Sequence, residues 1–456
     1  MRLISFLCLV PVVLLLLNVT AYPIEKTSSV SDVPDIFLGL IISSEKDRDS
    51  ALNYLKNNWE PSFSTMLLEV IPLSRDPRFT EKLVDLLEKK TGENYGFQIN
   101  KWYEWIWNQK PLDHPKYAEF KSRLYSLIDP RFGRYFNTNY PASIRFDEIR
   151  WGGVRQDGIP PLRNPKMISA EDADYLEDGN IVFGIEVNGD AKAYPKRILA
   201  WHEMFVDVVG GIPVAGVYCT LCGSMIIYKT ELNGVNHEMG TSGFLYRSNK
   251  LMYDKATQSL WNTLWGRPVV GKLVDKGIEL ERGSVVTTTW GEWKKRHPDT
   301  KVLSLNTGHR RDYSEGAAYR EYFATDDLMF NVPKLDKRLK NKDEVLGLVF
   351  PESSGKPMAI SVDYLSKNPV YQNSIDNKQF VIFTDKSGAA RVYESKDIRF
   401  KNWDFEDLVY DESGGLWNLN ESKLVSSDGK VLNRLPAHRA FWFGWFSAFP
   451  DTALVN

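Results

Sequence analysis

The sequence predicts an α+β chain, with a helical N-terminal domain followed by a larger mainly-β domain. Two observations carry this. From residue 32 to about 140, apolar residues recur at helical spacing between Pro and Gly stops. From about Pro141 the texture changes: Gly, Pro and β-branched residues rise, and short apolar runs alternate with tight-turn dipeptides. The length of 456 residues fits two to three domains. Hydrophobic residues make up 43% and charged residues 25%, the balance of an ordinary folded chain rather than a disordered, collagenous or disulfide-dense one.

In the first region, Phe79, Leu83, Leu86 and Leu87 lie on one helical face. Thr80 is read as the cap, Lys89 and Lys90 suit the last turn, and Gly92 ends the helix. Ala51 to Leu55 and Phe63 to Ile71 follow the same pattern. Trp102, Trp105 and Ile106 form a further stripe at i, i+3, i+4. No fixed repeat period runs through these helices. The region suits a packing domain or a docking surface for a protein partner.

In the second region, Asn180 to Tyr194 reads as two strands joined at Asn188-Gly189, a strong hairpin signal. Val206 to Val209, Pro213 to Tyr218 and Met225 to Leu232 read as strands, with turns at Gly210-Gly211 and Asn233-Gly234. Gln379 to Thr384 and Ala390 to Tyr393 form a second hairpin across Asp385 to Gly388. The charged run 335–345 reads as an exposed loop or short helix.

Residues 1–21 have the layout of a secretory signal peptide: Arg2, an apolar run Leu3 to Leu17, and small residues Val19-Thr20-Ala21 before Tyr22. That run is shorter than the ~20 residues a spanning helix needs, and no later segment is apolar for long enough. The expected mature chain is secreted, periplasmic or extracellular, with no transmembrane span. Removing Arg2 moves the net charge from −2 to −3. Lys and Arg total 57 against 59 Asp and Glu, so no basic footprint points to nucleic acid.

Cleavage would also remove Cys8 and leave only Cys219 and Cys222. One Cys pair in an exported chain of this size is no disulfide framework, so the pair stands out. It lies in Cys219-Thr220-Leu221-Cys222-Gly223, between two expected strands, where backbone N–H groups can face both sulfurs and Gly223 permits the turn. Two thiols this close bind a soft or borderline metal, oxidise to a structural disulfide, or cycle as a redox dithiol. No second Cys pair exists, so a metal would need other ligands. Among the six His, His202 in Trp201-His202-Glu203 and His438 in Pro436-Ala437-His438-Arg439 stand in the most distinctive settings. The metal set read from the sequence is therefore Cys219, Cys222, His202 and His438, with Glu203 orienting His202. Copper is the first choice and zinc the second. Met225 and Met252 are further soft donors, Met252 reading chiefly as core. The aromatic run Phe441-Trp442-Phe443-Gly444-Trp445-Phe446 reads as a pocket wall or a buried terminal element. Gly240-Thr241-Ser242-Gly243 lacks the spacing of a nucleophile elbow.

Several longer motifs accompany these residues: Trp151-Gly152-Gly153-Val154-Arg155, Asp157-Gly158-Ile159-Pro160, Ala193-Tyr194-Pro195, Trp201-His202-Glu203, Tyr218 to Gly223, Ser242 to Tyr246, Leu251 to Asp254, Ser259-Leu260-Trp261 and His438-Arg439 to Trp445. Over roughly residues 145–456 the chain resembles the family known as domain of unknown function 3179, chiefly exported microbial proteins. Thr220 stands where the family pattern has Pro. The resemblance implies that the His202, Cys219/Cys222 and His438 motifs share one domain, and it supplies no reaction.

The expectation is thus an exported metal-binding protein, a copper- or zinc-dependent oxidoreductase acting on a small molecule of unknown identity. The alternatives are a metal-free thiol–disulfide oxidoreductase and a non-catalytic binding module with a structural disulfide.

Overall fold

The computed structural model describes residues 32–110, 113–350 and 356–456. The signal-peptide reading falls on residues 1–21, outside the described residues. Helices fill the first part: Val33–Ile42, Glu45–Asn57, Phe63–Val70, Pro77–Thr91, Ile99–Trp107 and Tyr117–Ser126. The leucine stripe of Pro77–Thr91 is buried as its spacing requires, and Gly92 ends the helix at φ 80°. The cap is Asp76, whose carboxylate accepts the N–H groups of Arg78 and Phe79; Thr80 instead donates its hydroxyl to the Asp76 carbonyl. Pro77 at the first helical position places the start four residues earlier than a Thr80 cap would.

These helices do not close a core of their own. Their apolar faces run without a break into the strands Ile149–Trp151, Met239–Tyr246, Asn249–Asp254, Leu260–Asn262 and Arg267–Val270, which form an antiparallel five-stranded sheet. A buried ion pair ties the two regions together. Lys121 Nζ donates to Glu69 Oε1 at 2.6 Å and to the carbonyls of Phe146 and Ile149 at 2.8 and 2.5 Å.

The rest of the chain is mainly β. Asn188 and Gly189 (φ 52° and 83°) turn the hairpin Ile181–Val187/Asp190–Pro195, and Gly210-Gly211 turn Met204–Val209/Ile212–Cys219. Each hairpin lies in a separate five-stranded sheet. A four-stranded sheet brings His438–Phe441 beside Glu344–Leu348, and residues 370–435 form an eight-stranded sheet that includes Lys378–Thr384 and Ala390–Glu394. Residues 335–343 form a charged loop. The C-terminal aromatic run is a buried helix, Trp442–Ala448, with Trp442 and Trp445 wholly enclosed. Among the described residues, no helix is long and apolar enough to cross a membrane.

A candidate dithiol site beside a buried ion pair

The strand Ile212–Cys219 ends at one sulfur, and Ser224, the first residue of the returning strand, pairs directly with Cys219. Thr220 to Gly223 make the connecting turn. Gly223 has φ 58°, and a Cβ there would lie 2.8 Å from the Phe441 ring, so conformation and packing both demand glycine. The C-terminal helix closes the other side. The Phe441 N–H donates to the Cys222 carbonyl at 2.7 Å, and a Cβ on Gly444 would stand 3.2 Å from Cys222 Sγ.

A third segment faces the sulfurs. The hairpin Met239–Tyr246/Asn249–Asp254 turns through Arg247 and Ser248, both left-handed at φ 49° and 63°. Such a turn favours Asn-Gly; side chains here store strain. Arg247 is pinned by an ion pair to the buried Glu148 and by a 3.3 Å bond to the Ser447 carbonyl. The turn holds the Ser248 carbonyl 3.3 Å from Cys222 Sγ, where it accepts the S–H, and the Asn249 amide donates to the same sulfur at 3.4 Å.

Both cysteines are free thiols, buried and in hydrogen-bond contact with each other. Burial works against a charge on Cys219. Hydrogen bonding with the Cys222 side chain and with the backbone N–H groups of Lys250 and Cys222 outweighs it, and the thiol lies below its ordinary range. Cys222 is pushed well above that range by burial and by the neighbouring Cys219. Of the two sulfurs, Cys222 is the one that keeps its proton.

Glu203 caps the helix Lys196–His202 in a left-handed conformation, φ 55°. Its carboxylate does not touch His202. It accepts Thr220 Oγ1 at 2.8 Å and the Tyr319 hydroxyl at 3.3 Å, and it pairs with Lys250 Nζ at 2.8 Å. Lys250 also donates to the Glu203 carbonyl at 3.1 Å. This buried pair lines a pocket of about 60 Å³, whose other walls include Val154, Leu221, Phe244, Leu245, Tyr319 and Phe330.

The two histidines stand apart from the sulfurs. His202 Nδ1 faces the Pro160 carbonyl at 2.9 Å, an acceptor only, so Nδ1 carries the proton and Nε2 accepts the Tyr313 hydroxyl at 2.6 Å. Burial holds its pKa at about 4. His438 lies against the Trp445 ring, 5.5 Å between centroids, with Nε2 buried and without a partner. Burial, aided by the positive charge of Arg282, lowers its pKa to about 3. Among the described residues, no three His, Cys, Asp or Glu side chains gather to hold a metal ion. The four-residue set of Cys219, Cys222, His202 and His438 therefore stands as a sulfur pair and two separate imidazoles. Met225 and Met252 are core residues. The Ser242 hydroxyl donates to the Leu251 carbonyl at 2.7 Å and is structural.

The family model described as "Protein of unknown function (DUF3179)" matches residues 156–452. The chain belongs to this family. No curated protein and no solved structure matches it. The matched span of this DUF3179 member holds both cysteines, Glu203, Lys250 and both histidines, whereas Arg247's anchor Glu148 and the pocket residue Val154 lie just before it.

Sequence reasoning missed Ser248, Asn249, Lys250 and Tyr319. A lysine embedded in the apolar strand Asn249–Asp254 was the available signal for Lys250, because a lysine there is buried only with a partner.

Proposed function

We propose that this DUF3179 protein is exported and acts as an oxidoreductase through Cys219 and Cys222, cycling between two thiols and one disulfide without a metal. The observation that carries the reading is the pair itself: two unbridged thiols on one turn, Cys219 facing backbone N–H groups and Cys222 donating its S–H to the Ser248 carbonyl while accepting the Asn249 amide. That asymmetry suits an attacking thiolate and a resolving thiol. On oxidation two electrons and two protons leave the pair and the S–S bond forms. The apolar leader expected at residues 1–21 supports export, where such a cycle has oxidants to meet.

A second reading is a metal site at the same sulfurs. Two thiolates with a nearby carbonyl suit a soft cation of low coordination number, which favours copper(I). Zinc requires about four donors, and no third His, Cys, Asp or Glu stands with the pair among the described residues. His202 and His438 lie outside this shell. Bound copper(I) would supply a one-electron donor held by Cys219 and Cys222.

The deciding experiment is a thiol count and a metal analysis on mature protein purified without chelators or a His tag. The redox reading expects two thiols after reduction, none after mild oxidation, and a mass lower by two hydrogens, all reversible. A pair that remains two thiols throughout defeats it. About one copper per chain, lost in Cys219→Ser but retained in His202→Ala and His438→Ala, would establish the second reading.

A further inference from the structure

We infer that Thr220 is a positioning residue of the dithiol: its hydroxyl, braced on Glu203, holds the Cys-x-x-Cys turn closed and so fixes how strongly Cys219 and Cys222 favour the disulfide. The inference rests on the redox reading of this pair and adds the restraint that tunes it.

The turn comes first. Cys219 and Ser224 pair across the hairpin, and Thr220 to Gly223 connect them. Neither Thr220 nor Leu221 has positive φ, and Gly223 follows at φ 58°. Hairpin loops built around a type I turn have this pattern, and Thr220 stands at the second position of that turn. Proline is favoured there because its ring fixes φ near about −65°. Threonine has no ring, so this turn takes its restraint from elsewhere.

The ties on the turn are unequal. Its second half is held through the backbone. The Leu221 carbonyl accepts the Tyr322 hydroxyl at 2.7 Å, and the Cys222 carbonyl accepts the Phe441 N–H at 2.7 Å. Its first half, beyond the strand pair at Cys219, is held by a side chain. Thr220 is fully buried, and its Oγ1 donates to Glu203 Oε1 at 2.8 Å. Glu203 is itself fixed. Its carbonyl accepts the Tyr218 N–H at 2.9 Å, and its carboxylate pairs with Lys250 Nζ at 2.8 Å. A hydrogen bond to a carboxylate is roughly twice as strong as one between neutral groups. The brace thus grips the turn one residue from Cys219.

The consequence falls on the redox equilibrium. In the disulfide, the S–S bond closes the turn whatever its side chains do. In the dithiol, only ties such as Thr220 to Glu203 keep the sulfurs together. Loosening them gives the reduced turn more conformations and lowers the effective concentration of one thiol at the other. Glutathione disulfide serves as the oxidant. Its S–S bond breaks and the Cys219–Cys222 bond forms. Two electrons pass from the protein sulfurs to the glutathione sulfurs, and both thiol protons end on two molecules of glutathione.

The test equilibrates the full chain in glutathione buffers and reads the oxidised fraction by mass. Thr220→Val keeps the branched shape, removes the hydroxyl and leaves Glu203 its bonds to Tyr319 and Lys250. It is expected to lower the equilibrium constant for disulfide formation about tenfold, a potential about 30 mV less negative. Thr220→Ser keeps the donor and Thr220→Pro supplies the ring; both are expected to stay within about threefold of the parent. The melting temperature of each reduced protein is read alongside, because a loss of stability common to both redox states moves it without moving the potential. A Thr220→Val protein with the parent's constant overturns the inference. So does a folded Thr220→Pro protein with the constant of Thr220→Val, since the hydroxyl would then act through charge and not through restraint. A parent chain that forms no disulfide in any buffer rejects the redox reading itself, and the inference with it.

Discussion

His438 provides a sharp test of how the site is built, because a buried neutral imidazole ties the stability of the fold to pH. In the folded chain burial holds its pKa at about 3, against 6.5 as the ordinary value. Below pH 6.5 the unfolded chain takes up a proton that the folded chain refuses. Stability is therefore full above pH 6.5 and is lost as pH falls toward 3. At 1.36 kcal/mol for each pH unit, the ceiling is ~5 kcal/mol, of which about 2 kcal/mol falls between pH 7 and pH 5. His202, held at about 4, works in the same direction over the same interval. Replacing His438 by Leu keeps the volume against Trp445 and removes one of these two protonation sites. Urea unfolding of both proteins at pH 7 and pH 5 gives the double difference, in which carboxylate contributions cancel. The variant should lose about 2 kcal/mol less than the parent across that interval. Equal losses would show that His438 is not a buried neutral imidazole, and the description of its surroundings would fall with that result.

Lys121→Met should destabilise by ~3–5 kcal/mol in denaturant unfolding, because Glu69 would stay buried without its cation. Gly347→Ala places a Cβ 2.0 Å from a Trp445 ring carbon; it should cost ~1–3 kcal/mol or prevent soluble expression. Tyr313→Phe removes the partner of His202 Nε2 and should cost ~1–3 kcal/mol, with thiol count and metal content unchanged. Ser248→Gly relieves a left-handed backbone and deletes a buried hydroxyl with no partner, so the reduced protein should gain ~1 kcal/mol. A lower melting temperature for that variant would refute the strain assigned to the turn.

What the sequence disclosed was local. Asn188-Gly189 and Gly210-Gly211 mark hairpins because Asn and Gly enter positive φ at little cost. The leucine stripe of Pro77–Thr91 is legible because burial follows helical period. The Asp76 cap was missed in favour of Thr80, an error of position within a correct helix. Most of the eight-stranded sheet was missed. Its strands Phe400–Trp403, Leu408–Asp411, Leu416–Leu419 and Lys423–Ser426 are four residues each, too short for alternation to register. At the site, the Cys-x-x-Cys turn was legible, and its surroundings were not. Tyr313 lies 111 residues from His202, and the Ser248 carbonyl 26 from Cys222; no local pattern encodes such pairings. Glu203 follows His202 directly, yet the left-handed backbone at Glu203 sends its carboxylate to Thr220, Tyr319 and Lys250 instead.

The arrangement around the sulfurs makes more sense as one assembly than as a list of contacts. Left-handed residues with side chains cost ~1–3 kcal/mol each and persist only where the surroundings enforce them. Three of them, Glu203, Arg247 and Ser248, border the dithiol, and each is held by a strong partner: Lys250, Glu148 and the paired strands of its hairpin. A purely structural disulfide would need none of this, since two sulfurs on a tight turn bridge without a carbonyl, an amide and a lysine arranged beside them. The strained turn sets a carbonyl opposite Cys222, and the strand it starts sets an N–H opposite Cys219. The difference between the two sulfurs is therefore written into the backbone, where side-chain substitutions cannot easily erase it.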